Sequence, residues 1–469
     1  MQVVRSGGID YYVRDLVPGR SDVSMVAGES AGVWTGGGGA VLGLSGQVSS
    51  DDLADVFAGR DPTGDRQLRH ERGSRSVAGV DLLFCAPKAV SLLHLLAPNE
   101  LGAVAGECHQ AAVSDAVGYL ERTVLGVRRT RSGTSHRLAT TGAVAAGFVH
   151  RTSRALDPHL HTHLVTANVA QGLDGLWSSL DTRRLFAHRG AMQAVYESSL
   201  RHSLSVRTGM AWERRTTGRW DLAGVDPVLE RLFSQRASGI EEHVFRTAGG
   251  RTSPGLRRAA FHADRPAKER GQTIESLRAG WRRRAADLGL DTGDLVRLIG
   301  RAGDAPRREG VDRSALSAHL ERSSLSGRTV SARDLVAAVA ESAPAGMASA
   351  EVEHVVAALG HAAHKTIDPS ATAADRAGPH RGDHQWSAGD LVRVLRDPPR
   401  VVADALDRSA NADRRAASRT REDRSPVARE VGSLLPEGTE VEHRRSRSRS
   451  RSRSPELRIS VSDSFDRTR

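Results

Sequence analysis

Hydrophobic and polar residues follow two different periods along the first half of the chain. Short apolar runs and alternating segments are typical of strands, and we predict strands over 80–86, 141–150 and 161–169. Elsewhere apolar residues recur at helical spacing, and we predict helices over 101–127, 185–204 and 274–288. Strands and helices in this mixed order favour an α+β fold over a regular series of βαβ units.

The remainder of the chain changes in character twice. Residues 291–365 carry only helical patterns, and the chain beyond them is polar, with no long repeat visible. Residues 444–453 hold six arginines and no acidic residue, which is typical of a disordered tail. We therefore predict an α+β domain over 1–295, a small helical region over 296–365, and a polar linker with a disordered Arg/Ser-rich tail over 366–469.

The composition narrows the class of protein. The 469 residues include only two cysteines, which excludes a disulfide framework and a cysteine-based zinc module. No long apolar run and no secretory signal pattern is present, so the sequence predicts a cytoplasmic protein without membrane insertion. The net charge of +11 favours a polyanionic partner, although a GC-rich genome also produces an arginine bias.

Four histidines fall within the stretch FVHRTSRALDPHLHTHLVTANV at 148–169. Residues two apart in a strand project from one face, so His161 and His163 point the same way. A hairpin turn at 155–158 brings His150 back opposite the start of the second strand, which predicts three imidazoles able to bind a divalent metal. His159 lies nearer the turn and is interpreted as a bystander. Spacing alone leaves open a polar hairpin with solvated histidines.

Two adjacent tyrosines, Tyr11 and Tyr12 in GGIDYYVRDL, are a second candidate for chemistry. A phenol attacks a phosphodiester when a nearby divalent metal stabilises the developing charge. The simpler interpretation is a helix start, with Asp10 as its cap and a tyrosine packed on the core. The residues alone do not separate these two interpretations.

Several blocks, taken in order, resemble the relaxase domain of MobF-type conjugative relaxases, a branch of the HUH endonuclease superfamily. The histidine stretch is the most specific block. The others are GLSG at 43–46, GVDLLFCAPKAVSLL at 79–93, GLWSSLD at 175–181, the helix at 196–204 and LRAGWRRRAADLGLD at 277–291. The resemblance covers about residues 1–295 and implies a central antiparallel sheet flanked by helices.

The resemblance implies a metal-dependent enzyme that nicks one DNA strand at a transfer origin. Such an enzyme stays joined to the 5′ end through tyrosine and later reseals the strand. Tyr11 matches the nucleophile with Tyr12 beside it, and Asp81 matches the carboxylate that orients a ligand histidine. The positions that match the metal ligands are His150, His161 and His163. The expected ion is Mg²⁺ or Mn²⁺, with Zn²⁺, Co²⁺ or Ni²⁺ as substitutes in vitro.

The resemblance also implies partners. Lys88, Arg151 and Arg154 are predicted phosphate contacts, with plain surface solvation as the alternative. Single-stranded and hairpin DNA are expected, together with type IV coupling and secretion proteins. A separate helicase is expected as well, because LGHAAHKT at 359–366, the nearest candidate for a phosphate-binding loop, has His364 where glycine is required.

Two departures from the family pattern keep other functions open. The stretch 19–34 lacks the second tyrosine pair of many relatives, and the segment before Tyr11 is short. A rolling-circle replication initiator would use the same chemistry at another locus, and a degenerate remnant would bind origin DNA without cutting it. A generic zinc hydrolase fits less well, because it normally needs a carboxylate base beside the metal.

Overall fold

The computed structural model describes residues 1–6, 31–64, 66–69, 73, 76–248, 253, 272–300, 310–325, 329–367 and 385–407. The predicted nucleophile Tyr11, its neighbour Tyr12 and the Arg/Ser-rich tail lie outside these ranges.

The described strands comprise one central sheet and four two-stranded ribbons. Their bounds are β1 Gln2–Arg5, β2 Val33–Thr35, β3 Val77–Cys85, β4 Val127–Arg131, β5 Thr134–Leu138, β6 Ala145–Thr152, β7 Pro158–Ala167, β8 Ala170–Gln171, β9 Trp177–Ser178, β10 Trp212–Arg214, β11 Trp220–Leu222, β12 Thr329–Ser331 and β13 Gln385–Ser387.

The described helices alternate with the strands in the first part of the chain and predominate after residue 310. Their bounds are α1 Gly37–Val41, α2 Ser50–Ala58, α3 Lys88–Leu96, α4 Asn99–Tyr119, α5 Thr182–Ala187, α6 Arg189–Thr208, α7 Pro227–Leu232, α8 Gln235–Ala248, α9 Ile274–Ala286, α10 Arg313–Leu325, α11 Ala332–Glu341, α12 Ser349–Ile367 and α13 Ala388–Arg396. A π-helical turn, Leu120–Val124, extends α4, and a 3₁₀ segment, Thr292–Leu298, follows α9.

The central sheet has the order β1-β3-β7-β6-β2, and every neighbouring pair is antiparallel. β7 lies in the middle, and its alternating side chains divide between the two faces. On one face Leu160 and Leu164 join the apolar sides of α3, α4 and α6 in the main core. This face is therefore closed to solvent by helices.

The opposite face of the sheet has two parts. Toward one end Val165 and Phe148 pack with Trp34 and with Val56 and Phe57 of α2 in a second core. Toward the other end the same alternation presents the histidines of β6 and β7. This face of the sheet is therefore apolar and buried at one end and carries the histidines at the other end.

The predicted fold class, a central antiparallel sheet flanked by helices, is confirmed. The predicted strands at 141–150 and 161–169 correspond to β6 and β7 with ends shifted by a few residues. The helix predicted at 185–204 is two helices, α5 and α6, that meet at His188. Among the described helices, each is too short or too polar to cross a membrane.

Residues 310–407 form a helical module of two similar halves. One half is α10, β12 and α11, and the other is α12, β13 and α13. The segments VSARDLV at 330–336 and WSAGDLV at 386–392 align without a gap, and each serine begins a helix. β12 and β13 pair antiparallel about Val330 and Trp386, while α10 packs on α13 and α12 packs on α11. The two halves are therefore related by an approximate two-fold axis.

This module corrects three expectations from the sequence. A repeat is present, β12 interrupts the region predicted as helices only, and part of the predicted polar linker is ordered as β13 and α13. The apolar residues of α13, such as Leu391 and Leu395, are buried, but polar sequence on both sides hides their short helical pattern. The domain bounds remain predictions.

The module docks on α6 without a break in the hydrophobic core. Arg201 is fully buried, and its Nη2 donates to the carbonyl of Ala340 at 2.8 Å. The Met347 N–H donates to Ser198 Oγ at 2.9 Å. Gly346 has φ +79° and lies so close to the Ser198 carbonyl that a Cβ has no room. The helix that supports the sheet also anchors the module.

Candidate metal centre

The strand register brings three histidines together. β6 and β7 pair so that His150 lies opposite His161, and His163 lies opposite Phe148. Ring centroids are 5.2 Å apart for His150 and His161, 5.2 Å for His150 and His163, and 5.4 Å for His161 and His163. One ring nitrogen from each lies within 4.8 Å of the other two. The three imidazoles predicted to bind metal therefore form one cluster.

Two of the three rings are oriented by hydrogen bonds at Nδ1. His163 Nδ1 lies 2.9 Å from Oδ2 and 3.1 Å from Oδ1 of Asp81, a buried residue of β3. His161 Nδ1 lies 2.9 Å from the carbonyl of His159. A carboxylate or carbonyl at one nitrogen fixes the tautomer and leaves Nε2 with a lone pair for a metal. Asp81 has the position relative to His163 that the family resemblance implied.

Burial keeps the central imidazole neutral. His161 is 8% exposed, and desolvation lowers its pKa to about 4. A metal binds the neutral form, so this ring is available as a ligand well below neutral pH. A divalent ion bound at about 2.1 Å needs the nitrogens about 3.0–3.4 Å apart, so the three rings, whose nitrogens lie within 4.8 Å of one another, must turn slightly toward each other to bind it. The donor set fits a divalent metal and leaves its full charge uncompensated by carboxylate ligands.

His159 lies beside the cluster but is not one of its three members. Its ring centroid is 4.6 Å from that of His161, and burial lowers its pKa to about 3. It lies on the same face of β7 as His161, one step nearer the turn. The interpretation of His159 as a bystander remains a prediction.

The turn that joins β6 and β7 is held by three contacts that the sequence did not predict. Leu156 has φ +54°, an uncommon conformation for a branched side chain. Its carbonyl accepts a hydrogen bond from Trp281 Nε1 at 2.9 Å. Asp157 accepts from Gln235, from N at 2.9 Å and from Nε2 at 2.8 Å. Helices α8 and α9 therefore clamp the hairpin that carries the histidines.

The three predicted phosphate contacts lie in different settings. Lys88 Nζ donates to the carbonyls of Pro158 and Phe233, each at 2.8 Å, and burial lowers the pKa of its ammonium. That geometry anchors the start of β7 and uses two of the three ammonium donors, while the role of Lys88 as a phosphate contact stays a prediction. Arg151 is the second-last residue of β6 and Arg154 lies in the turn, and both are half-buried.

A buried hydrogen-bonded chain lies behind the cluster. Thr162, between the two ligand positions of β7, points to the helical face, where its Oγ1 lies 2.8 Å from His109 Nε2. His109 Nδ1 lies 2.8 Å from the hydroxyl of Tyr196 on α6. Sequence reasoning missed this chain, because its members are 53 and 87 positions apart.

The described chain returns to the sheet close to the histidines. Gly32, which precedes β2, lies so close to the Phe148 ring that a Cβ would clash with it. Phe148 is the cross-strand neighbour of His163. The chain described from residue 31 onward therefore enters the sheet near His163.

Comparisons with known proteins agree with this geometry. The multifunctional conjugation protein TraI of Escherichia coli is 34% identical over 257 residues, which are 52% of this chain and 14% of TraI. The conjugative relaxase TrwC in a metal-free complex with oriT DNA superposes with a TM-score of 0.54 and 31% identity, over 62% of this chain and 98% of TrwC. A metal-bound TrwC–oriT complex superposes equally well. The sequence model of the TrwC relaxase family matches residues 4–288, and the chain therefore belongs to the TrwC relaxase family.

Proposed function

We propose that the chain nicks and rejoins single-stranded DNA at a conjugative transfer origin, with tyrosine as nucleophile and a divalent metal held by three histidines. The observation that carries the proposal is the convergence of His150, His161 and His163 with Asp81 behind His163. The same family includes TrwC, whose structures contain oriT DNA and, in two cases, a bound metal.

The metal would be held by His150, His161 and His163. When bound, it supplies a positive charge that polarises the scissile phosphate. The chain's own contribution is to orient His163 through Asp81 and His161 through the His159 carbonyl, and to keep His161 neutral by burial. Mg²⁺ or Mn²⁺ is the ion proposed for cells, with Zn²⁺, Co²⁺ or Ni²⁺ as substitutes in vitro.

The nucleophile is assigned by elimination among four tyrosines. Tyr119 and Tyr196 are fully buried, and their hydroxyls are bonded to His188 and His109. Desolvation also raises the pKa of both phenols, so neither can reach or attack DNA. Tyr11 and Tyr12 are left, and we propose Tyr11 as the nucleophile with Tyr12 as its neighbour.

The proposed reaction exchanges one phosphodiester for another. The Tyr11 phenol oxygen bonds to phosphorus as its proton leaves, and the bond from phosphorus to the 3′ oxygen breaks. The 3′ oxygen takes a proton and leaves as a hydroxyl, while the 5′ end stays on tyrosine. The reverse steps rejoin the strand, and the phosphotyrosine bond supplies the energy that ATP would otherwise provide.

The DNA and protein partners are proposals of the same kind. Arg151 and Arg154, near the histidine end of β6, are the proposed phosphate contacts, whereas the carbonyl bonds of Lys88 favour a structural role. A hairpin next to the nick site, a separate helicase and type IV coupling and secretion proteins are the expected partners. The cytoplasmic location is also still a prediction.

A covalent-adduct assay tests the function. Single-stranded fragments tiled over the native locus are incubated with Mn²⁺ and protein, and a denaturation-resistant protein–DNA band is sought. We expect the band to disappear with Tyr11→Phe and with His161→Ala, and to persist with His136→Ala, which alters an exposed histidine on β5.

The alternatives correspond to other outcomes of that assay. A band on a replication origin, with none on a transfer origin, would identify a rolling-circle initiator. Retention of DNA by metal-loaded protein without any band would identify a binding remnant. Loss of the band with Tyr12→Phe and its persistence with Tyr11→Phe would move the nucleophile by one residue.

A further inference from the structure

A buried series of hydrogen bonds, Tyr196–His109–Thr162, joins two helices to the middle of β7, the strand that carries His161 and His163. Tyr196 is on α6, His109 is on α4 and Thr162 is on β7, and the three are 0%, 0% and 3% exposed. Both hydrogen bonds are 2.8 Å long. Neighbouring residues of this layer, such as Phe84 and Leu164, belong to the main hydrophobic core. A polar chain in such a place is costly unless each of its groups is paired.

Thr162 connects this series of hydrogen bonds to the strand that carries two of the three clustered histidines. It lies between His161 and His163, and its side chain points to the opposite face. Its cross-strand neighbours are Phe84 and Val149, so the row around it is otherwise apolar. Any shift or rotation of the backbone at Thr162 moves both ligand side chains, because they flank it directly.

His109 uses both of its ring nitrogens in these hydrogen bonds. Desolvation lowers the pKa of His109 to about 3, so the ring is neutral and donates at one nitrogen while it accepts at the other. Both of its nitrogens are therefore used, one by Tyr196 and one by Thr162. Phe84 packs against the Tyr196 ring at 5.3 Å and holds the phenol in place. A fully paired buried network of this kind fixes position more strictly than apolar contacts do.

We propose that Tyr196, His109 and Thr162 are positioning residues for the metal centre. They hold β7 in the position and twist at which His161 and His163 converge with His150. The inference rests on the proposed metal site. None of the three residues touches metal or DNA. They act through the strand that carries the ligands.

The test is metal affinity in matched variants of the full chain. Thr162→Val removes the hydroxyl and keeps the shape, and Thr162→Ser keeps the hydroxyl. Tyr196→Phe breaks the chain at its far end. Tyr119→Phe is the control, because it removes a similar tyrosine–histidine bond, 3.0 Å long, between α4 and His188, the residue that precedes α6. Mn²⁺ or Co²⁺ affinity, the Co²⁺ absorption spectrum and the thermal midpoint are measured for each.

We expect Thr162→Val and Tyr196→Phe to weaken metal binding about tenfold and to alter the Co²⁺ spectrum. Thr162→Ser and Tyr119→Phe should retain the wild-type affinity and spectrum, although Tyr119→Phe lowers the thermal midpoint as much as Tyr196→Phe does. Equal affinities and spectra in all variants would overturn the inference while leaving the proposed function intact. A wild-type protein that binds no metal would overturn both.

Discussion

Asp81 Oδ2 lies 2.9 Å from His163 Nδ1. Asp81 is on β3, the strand that pairs with the histidine strand β7. The aspartate is 6% exposed and the histidine side chain is 24% exposed, so the pair is shielded from solvent on one side only. A carboxylate in this place fixes the orientation of the imidazole and which of its nitrogens faces the metal.

Asp81→Asn should separate charge from shape at this contact. The amide keeps the volume but supplies no negative charge, and we expect metal affinity to fall about 10- to 100-fold. Isothermal titration with Mn²⁺ measures the change. Asp55→Asn, at a surface pair with Arg60, is the control and should leave affinity unchanged. Equal affinity for Asp81→Asn and wild type would remove Asp81 from the site.

His161→Ala and His159→Ala should have different consequences although the two positions are on one strand. His161 belongs to the three-residue cluster and His159 does not. We expect His161→Ala to abolish Mn²⁺ binding and adduct formation, and His159→Ala to leave at least a third of the adduct rate. Metal content by elemental analysis and the adduct assay measure these effects. A larger loss with His159→Ala would exchange the two assignments.

Acid should destabilise the fold through its buried histidines. His94 and His109 have pKa values lowered by desolvation to about 4 and about 3, below the value near 6.5 of an unfolded chain. Below pH 6.5 the unfolded state therefore binds more protons, and the free energy of unfolding falls as the pH falls toward 4. Each histidine contributes up to about 1.4 kcal/mol per pH unit.

Urea unfolding with chelator at pH 7 and pH 5 measures this dependence. His94→Gln should reduce the difference between the two pH values, because glutamine does not titrate. His136→Gln changes an exposed ring and should leave the difference as it is. A free energy of unfolding that rises toward pH 5 would contradict the assignment of neutral buried histidines.

Gly346→Ala should loosen the helical module from α6. The position has φ +79° and lies against the Ser198 carbonyl, so alanine adds both strain and a clash. Gly289→Ala is the matched control, since its φ is +71° but nothing lies within 4 Å of the added carbon. We expect a loss of about 1–2 kcal/mol for Gly289→Ala and clearly more for Gly346→Ala. Urea unfolding and limited proteolysis distinguish the two.

The sequence predicted the parts of the site that depend on local rules. The period of two along a strand and the turn at 155–158 were enough to place His150 opposite His161. Asp81 needed the family resemblance, because its contact with His163 spans 82 positions. Local patterns carry no information on such contacts.

Long-range packing explains what the sequence did not predict. Lys88 looked like a phosphate contact, yet its ammonium is committed to carbonyls on two other segments. Tyr196 and His109 looked like ordinary helix positions until the helices were placed against β7. One signal was available and was missed: the S-A-x-D-L-V pattern occurs at 331–336 and again at 387–392.

The two-fold helical module has a consequence for its assembly. Within the described residues each half contributes one strand, β12 or β13, and that strand pairs with the other half. Neither half alone closes its strand edge or buries its apolar helices, so a chain cut between α11 and α12, at residues 342–348, yields two fragments that need each other. Co-expressed pieces are then expected to reconstitute the module, as a tandem copy of an ancestral self-pairing unit would.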